Sequence, residues 1–245
     1  MQEILWHLSP SNKSLKYEKP TVSVGFCFKG ETKMDSERLK KQLDFLIEAD
    51  KMKSLYRQTY IIGNESRGAS MREFEGEEQK YKRRENDAEH SFHLALFVIM
   101  LAEYANEPID VLKAVKTVLI HDIVEIDAGD TYFFDDKGYE TKRDRETRAA
   151  DRLFNLLPDE QRDEYRTLWE EFEAGSTPEA RFASSVDRMQ PMLLNYLKDG
   201  ISWREHNVSY EQVKERGKCI KGGSEKLWKH MDALFDDVHN KGLLK

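Results

Sequence analysis

Two histidines and two aspartates of this chain occupy positions where apolar side chains are expected. His90 lies on the most apolar helical stretch, and His121 and Asp122 lie at the end of another apolar stripe. Asp187 shares a predicted helical face with alanine, proline and leucine side chains. A buried carboxylate without a partner is costly or becomes protonated. Because one divalent metal ion satisfies two imidazoles and two carboxylates together, the four residues predict a metal site.

Each of these residues also has an ordinary interpretation. A single histidine on an apolar face is usually a hydrogen-bonded core residue, and a single buried aspartate usually caps a helix or turn. The coincidence of the four residues on three predicted helices favours the metal site. Their donor set is compatible with Mn, Co, Fe, Ni, Zn or Mg and suits Ca less well. His93, one turn after His90, is predicted to pack against the site rather than to bind the metal.

The order of the four residues resembles the H…HD…D signature of HD-domain metal-dependent phosphohydrolases. Segments Arg84–Ser91 and His121–Asp130 contain E-N-x-x-E-H-S and H-D-x-x-E-x-x-x-G-D. These strings are similar to those of the subgroup that contains 5′-deoxynucleotidases, and the resemblance covers about residues 36–244. It implies an all-helical fold and one divalent metal ion, whose ligands would be His90, His121, Asp122 and Asp187.

Two acidic residues are candidates for proton transfer. Glu125 lies one turn after His121 on the same helical face, so it is within reach of a water activated by the metal or of the leaving oxygen. The resemblance assigns catalytic roles to Glu125 and Asp130. The ordinary alternatives are a solvated carboxylate at a helix end for Glu125 and a turn residue after Gly129 for Asp130.

Two arginines are candidates for binding the substrate phosphate. Arg57 is predicted at the end of the first helix and Arg84 just before the His90 helix, and the planar guanidinium suits a phosphate monoester. Both could equally be surface charges. Deoxynucleotidases of the resembled family have an aromatic residue directly after the phosphate-binding arginine. Here Tyr56 precedes Arg57 instead, so the residues that select the substrate stay open.

The elements that would position these residues are helical. Periodic apolar residues begin near Asp35, and the pattern predicts a single all-α domain, a helical bundle over residues 35–245, after a weakly structured N-terminal extension of residues 1–34. The stretch from Phe92 to Leu101 is apolar nearly all round, which predicts a helix at the centre of the domain. The polar segment Gly63–Lys82 is predicted to be a loop, either a lid or a simple insertion.

Composition excludes several classes of protein. The 245 residues carry 39 Lys and Arg against 46 Asp and Glu, a net charge of −7, which argues against general nucleic-acid binding. No apolar run approaches the length of a membrane span, and the first residues lack the pattern of a signal peptide. Two cysteines are too few for a disulfide scaffold or a thiolate zinc site. We therefore expect a cytoplasmic protein.

The leading functional hypothesis is a phosphohydrolase that uses a metal-activated water to release phosphate from deoxynucleoside 5′-monophosphates. One alternative is another nucleotide substrate: a triphosphate, a cyclic nucleotide or an alarmone. The other is a non-catalytic HD module that binds a nucleotide or a partner protein. The resemblance also implies a homodimer, for which the late aromatic residues Trp203, Trp228 and Phe235 could supply a face or could serve the core instead.

Overall fold

The computed structural model describes residues 33–62 and 83–244, and helices dominate both segments. The α-helices are α1 (Lys33–Ala49), α2 (Asp87–Leu101), α3 (Val111–Ile120), α4 (Glu125–Ala128), α5 (Asp136–Phe154), α6 (Asp159–Ala174), α7 (Pro178–Leu197), α8 (Ile201–Glu205), α9 (Tyr210–Gly217) and α10 (Glu225–Asn240). Short 3₁₀ turns lie at Asp50–Ser54, Ala102–Tyr104 and Lys218–Gly222. The all-α prediction is confirmed.

Two predicted segments lie wholly or mostly outside the described residues. They are the N-terminal extension and the insertion Gly63–Lys82. Helix α1 begins at Lys33, two residues before the predicted start of the domain at Asp35. The division into residues 1–34 and 35–245 stays a prediction. Across residues 33–62 and 83–244, no helix is both long and apolar enough to cross a bilayer.

The segment around Arg57 is a strand, and its prediction as the end of the first helix is wrong. Strand β1 (Tyr56–Tyr60) pairs antiparallel with β2 (Arg84–Asn86), with an irregularity in the register between them. Aromatic and β-branched residues favour the extended backbone of β1, and β2 supplies the hydrogen-bonding partners that a local pattern does not reveal. Because side chains alternate along a strand, Tyr56 is exposed while Arg57 points inward.

Helix α7 is the central helix of the domain. It packs against α2, α3, α6 and α10, and nearly every second residue along it is buried. Thr177 caps its N-terminus and Pro178 occupies the first turn, as the sequence predicted. The main apolar cluster surrounds α7 and includes Leu94, Val98, Val118, Phe182, Val186, Met231 and Phe235. A second cluster joins α5 and α6 to the turn after α3.

Helix α2 is not buried all round, so its predicted central position is wrong. One face, with His90, Leu94 and Val98, is completely buried against the core. The opposite face is exposed and consists of Phe92, Leu96, Ile99 and Met100. The apolar stripe of α1 is exposed as well, whereas Phe45 on the same helix is buried. An apolar sequence shows that a helix face carries no charged side chains. It does not show whether another element of the domain covers that face.

Candidate active site

The four predicted metal ligands converge where α2, α3 and α7 meet. His90 Nε2 lies 3.0 Å from Asp187 Oδ1, and His121 Nε2 lies 3.0 Å from Asp122 Oδ1. The cross-distances are 3.6 Å from His121 Nε2 to Asp187 Oδ1 and 3.8 Å from His90 Nε2 to Asp122 Oδ2. All four side chains are buried. The sequence therefore predicted a real spatial cluster, which we call the metal cluster.

Local structure explains why these side chains point at one another. Asn86 and Glu89 form a capping box at the start of α2, which places His90 at the end of the first turn. Helix α3 ends at Ile120, so His121 is its C-terminal cap and Asp122 begins the turn that follows. Asp187 projects from the middle of α7, the central helix of the domain.

In its neutral form, each of the two histidines has its Nε2 lone pair directed at a carboxylate. His121 Nδ1 donates a hydrogen bond to the Val118 carbonyl oxygen at 2.9 Å, and His90 Nδ1 donates to Gln190 Oε1 at 3.1 Å. The neutral rings therefore carry their lone pairs on Nε2, toward Asp122 and Asp187. Lone pairs facing carboxylate oxygens repel unless a cation lies between them. This donor arrangement fits a divalent metal ion, with the Nδ1 bonds fixing each ring.

The electrostatics of the metal cluster also call for positive charge. Burial lowers the pKa of His121, but Asp122 and Asp187 outweigh burial and raise that pKa to about 10. Burial raises the pKa of Asp187, but Arg188 and the two imidazoles hold it well below its usual range. Without a metal ion the cluster thus attracts a proton, and metal binding would displace that proton.

Beside the metal cluster, several carboxyl groups surround the guanidinium of Arg57. The Arg57 guanidinium lies 2.7 Å from Asp122, 3.4 Å from Asp87 and 4.0 Å from both Glu125 and Asp130. Burial and the Asp122 charge raise the pKa of Asp87 to about 7 and that of Glu125 well above its usual value. One guanidinium does not neutralise this many carboxylates. The site brings together both predicted acidic residues, Glu125 and Asp130, beside the metal cluster.

Gln190 supports the metal cluster from behind and was missed by the sequence analysis. Its amide oxygen accepts from His90, and its amide nitrogen donates to Glu85 Oε1 at 2.6 Å and contacts His93 Nδ1 at 3.1 Å. The side chain is completely buried. The sequence did contain an indication of this role, because Gln190 is a polar residue on the same apolar helical face as Asp187 and lies one turn after it. His93 contacts this amide, which agrees with its predicted packing role.

The two predicted phosphate-binding arginines differ in position. Arg57 lines the cavity beside the metal cluster, which we call the inner cavity and whose lining includes His121, Asp122 and Asp187. Arg84 lies on β2 with its guanidinium 5.7 Å from the centre of the Tyr60 ring, and the structure does not bring it into the inner cavity. Arg188 does line this cavity, with Nε 3.6 Å from Asp187 Oδ2. The sequence analysis overlooked Arg188, although it directly follows a predicted ligand.

Lys142 is a further cation in the wall of the inner cavity. Its ammonium group lies 2.6 Å from Glu146 and 3.8 Å from Glu173. Burial lowers the pKa of Lys142, but these two carboxylates outweigh burial and raise it. Lys142 is therefore charged and paired with two carboxylates. The Arg188 side chain, which is 26% exposed, has its Nε 3.6 Å from Asp187 Oδ2.

Comparison with known families decides what kind of domain carries this cluster. Residues 71–228 match the family model of the HD domain, and this match spans more than half of the chain. The chain belongs to the HD domain family. The HD family implies a divalent metal ion, and this HD domain contains histidine and aspartate groups that could hold one: His90, His121 and Asp122 in one set, Asp87, Asp122 and Glu125 in another. The predicted cofactor class is confirmed.

Curated relatives of this HD domain include 5′-deoxynucleotidase HDDC2 from several vertebrates. The human protein is 30% identical over 112 residues, which are 46% of this chain and 53% of the relative. The Xenopus laevis protein is 31% identical over 109 residues, 44% of this chain and 53% of the relative. The match thus spans about half the length of these relatives. The resemblance to the 5′-deoxynucleotidase-like subgroup is confirmed.

Solved structures also resemble this HD domain. A predicted metal-dependent phosphohydrolase from Magnetospirillum magnetotacticum MS-1 is 41% identical, with a TM-score of 0.75, and the alignment covers 86% of this chain and 97% of that one. A conserved hypothetical protein from Pyrococcus furiosus is 22% identical with a TM-score of 0.51, covers 81% of this chain and 99% of that one, and shows the shared fold alone.

Proposed function

We propose that this HD domain is a metal-dependent phosphohydrolase that releases phosphate from deoxynucleoside 5′-monophosphates. The observation that supports it best is the convergence of His90, His121, Asp122 and Asp187, with each imidazole Nε2 3.0 Å from a carboxylate oxygen. We assign these four residues as metal ligands. The names of the curated relatives and of the Magnetospirillum structure agree with this reaction class.

The acidic residues supply proton transfer in this proposal. A bound divalent ion supplies acidity to a coordinated water and withdraws charge from the phosphoryl group. Glu125 accepts the proton that the attacking water loses as its oxygen bonds to phosphorus. The bond from phosphorus to the sugar O5′ breaks, and O5′ takes up a proton. Asp130 is placed to deliver that proton because it lines both the inner cavity and the cavity beyond it.

The phosphate requires cations other than the metal, and we assign Arg57 and Arg188 to this role. Arg57 touches Asp122 and lines the inner cavity, so its guanidinium can contact a phosphate held beside the metal cluster. Arg188 lines the inner cavity as well, and also a neighbouring cavity whose lining includes Arg57. Two planar guanidiniums suit the three terminal oxygens of a phosphate monoester. Arg84 stays a candidate from sequence that the geometry does not support.

Phosphate release from a panel of nucleotides tests the proposal. The purified protein, supplied with Mn or Co, should release phosphate from 2′-deoxynucleoside 5′-monophosphates and should lose this activity after chelation. Triphosphates, cyclic nucleotides and guanosine alarmones belong in the same panel, since they are the alternative substrates. Failure to release phosphate from any monophosphate with any of the metals would reject the proposed substrate.

Metal content separates the enzyme from the alternative, a non-catalytic binding module. An enzyme should bind close to one equivalent of metal, and its thermal unfolding temperature should fall after chelation, because a ligand that binds only the folded state stabilises it. A protein without bound metal, whose unfolding temperature is unchanged by chelation, would favour the binding module.

We further propose a homodimer formed through the exposed face of α2. The late aromatic residues are unavailable for this purpose because Trp203, Trp228 and Phe235 are buried in the core. The α2 face carries no charge between Phe92 and Met100, so a second copy in isologous contact would meet it without charge repulsion. Light scattering after gel filtration should give a dimer for the native chain and a monomer for an Ile99→Glu variant. A native monomer would reject the proposal.

A further inference from the structure

A series of three cavities leads from the metal cluster to the surface. The inner cavity and a middle cavity share Arg57, Asp130, Thr131 and Arg188 in their linings. The middle cavity and an outer cavity share Gln58, Tyr132 and Phe134. The three cavities are therefore neighbours in series, with the shared side chains between them. A ligand with one end at the metal cluster would pass these side chains to reach the outer cavity.

The middle cavity combines polar and apolar walls. Thr59, Asn195 and Ser202 contribute amide and hydroxyl groups, and Met192 and Trp203 contribute apolar surface. The Asn195 side-chain oxygen accepts a hydrogen bond from the Ser202 backbone N–H at 3.1 Å, which fixes the amide. A small ring with both hydroxyl groups and apolar carbons, such as a pentose, matches this wall.

The outer cavity is aromatic. Tyr132 and His206 have ring centroids 4.4 Å apart, and Tyr132 and Phe134 have centroids 5.5 Å apart. These three residues, which we call the aromatic rim, are exposed or half-buried. Gln58 lies beside them with Oε1 3.2 Å from His206 Nε2, and Gln212 also lines the cavity. Aromatic faces beside amide groups are the chemistry that binds a flat heterocycle with polar edges.

We propose that the aromatic rim binds the nucleobase of the substrate, with the sugar in the middle cavity and the phosphate between Arg57 and Arg188. This inference rests on the proposed function and narrows it, because the rim would distinguish a nucleoside monophosphate from a sugar phosphate that has no base. Gln58 and Gln212 provide both donors and acceptors, so the rim would accept more than one base. The aromatic rim would therefore select substrates that have a nucleobase, without selecting one nucleobase over another.

The test uses leucine substitutions at two residues of the aromatic rim and one matched control elsewhere. Tyr132→Leu and Phe134→Leu remove rings that line the outer cavity. Tyr210→Leu removes a similar ring stacked on His239 at 4.2 Å, which lies outside all three cavities. Two substrates are compared, 2′-deoxyadenosine 5′-monophosphate and 2-deoxyribose 5-phosphate. Binding of 2′-deoxyadenosine, measured by calorimetry, gives a readout that does not depend on turnover.

The rim variants should raise KM for the nucleotide about tenfold or more, because stacking of one base on an aromatic ring is commonly worth this much. Their metal content should be unchanged, and deoxyadenosine binding should weaken by the same factor. Because both rings also line the middle cavity, kcat/KM for 2-deoxyribose 5-phosphate should fall as well, but several-fold less than kcat/KM for the nucleotide. Tyr210→Leu should change none of these. Equal losses for both substrates, or no loss for the nucleotide, would overturn the inference.

The outcomes also separate this inference from the proposed function. If the native protein hydrolyses nucleotides and the rim variants behave like the native protein, the inference is wrong and the function stands. If the native protein hydrolyses no nucleotide but binds deoxyadenosine, and the rim variants weaken that binding, the function is wrong and the rim is a nucleoside site. If the native protein neither hydrolyses nucleotides nor binds the nucleoside, both are wrong.

Discussion

The inner cavity and the outer cavity are lined by different kinds of residue. The lining of the inner cavity includes buried carboxylates, the His121 imidazole and two guanidiniums, on β1, on α7 and in the segment that follows α3. The outer cavity is formed by half-buried or exposed rings and amides on loops and short elements. Charge in a buried site must be neutralised, so each inner residue constrains its neighbours. Rings at a surface can be exchanged with less consequence for the rest of the molecule.

This difference predicts how strongly substitutions should act. A change in the inner cavity should remove metal or chemistry and leave little activity. A change in the outer cavity should alter the affinity for one part of the substrate. The following substitutions test that contrast, beginning with the largest expected effect.

The largest effect is expected for Asp122→Ala. Asp122 is shared by both groups that could hold a metal and also pairs with Arg57. The variant should no longer bind metal, and its turnover should fall about 1000-fold or more. The reason is that the metal supplies both the nucleophile and charge stabilisation. Metal analysis by mass spectrometry and phosphate release measure the two losses. Asp144→Ala, on the exposed side of α5, is the control and should retain both. Full activity in Asp122→Ala would exclude the assigned site.

Glu125→Gln should separate metal binding from chemistry. The amide keeps the size of the side chain but cannot accept a proton, so turnover should fall about 100- to 10,000-fold while metal content stays near that of the native protein. Glu140→Gln, exposed on α5, should behave like the native protein. Parallel loss of metal would instead identify Glu125 as a ligand, as its grouping with Asp87 and Asp122 allows.

Arg188→Gln should affect phosphate binding rather than the metal. A hydrogen bond to a charged group is worth about 1.5–3 kcal/mol, so KM and the inhibition constant of inorganic phosphate should each rise about tenfold to hundredfold. The matched control is Arg216→Gln, since Arg216 stacks on the same Phe133 ring but pairs with Asp136 outside the inner cavity. Similar effects in both variants would show that Arg188 acts only by holding Phe133.

The contrast between the cavities also explains how far the sequence could predict the site. The metal cluster was predictable because a histidine or aspartate on an apolar helical face is conspicuous, as at His90 and Asp187. The roles of Glu125 and Asp130 came from a motif that keeps them close in sequence to His121. Arg57, predicted as a phosphate-binding residue, lines the inner cavity. Its predicted element was wrong because the partner strand β2 is distant in sequence.

The aromatic rim was not predictable from local pattern. Tyr132 and Phe134 lie in the loop before α5, and His206 follows α8, so their contact depends on how α7 and α8 return to that loop. An aromatic residue in a loop is unremarkable by itself. The exposed face of α2 shows the same limit, since an apolar helix does not reveal which of its faces the core covers.

Gln190→Leu should give the smallest effect of these substitutions, a weaker affinity for the metal with nearly unchanged turnover. Leucine fills a similar volume but cannot accept the His90 Nδ1 hydrogen bond, so the ring would no longer be fixed with its Nε2 lone pair toward Asp187. Loss of such a supporting bond typically weakens metal binding about tenfold to hundredfold. Turnover at saturating metal should stay within a few-fold of the native value.

Metal titration of the metal-free protein measures this affinity directly. Gln161→Leu, a half-buried glutamine on α6 that bonds to Gln42, is the control for loss of an amide and should bind metal like the native protein. An unchanged metal affinity with a lower unfolding temperature would show that Gln190 only fills the core between α2 and α7. A weaker affinity at unchanged stability would show instead that the inner cavity depends on the groups behind its ligands. The aromatic rim has no such dependence, because its rings contact the substrate directly in our proposal.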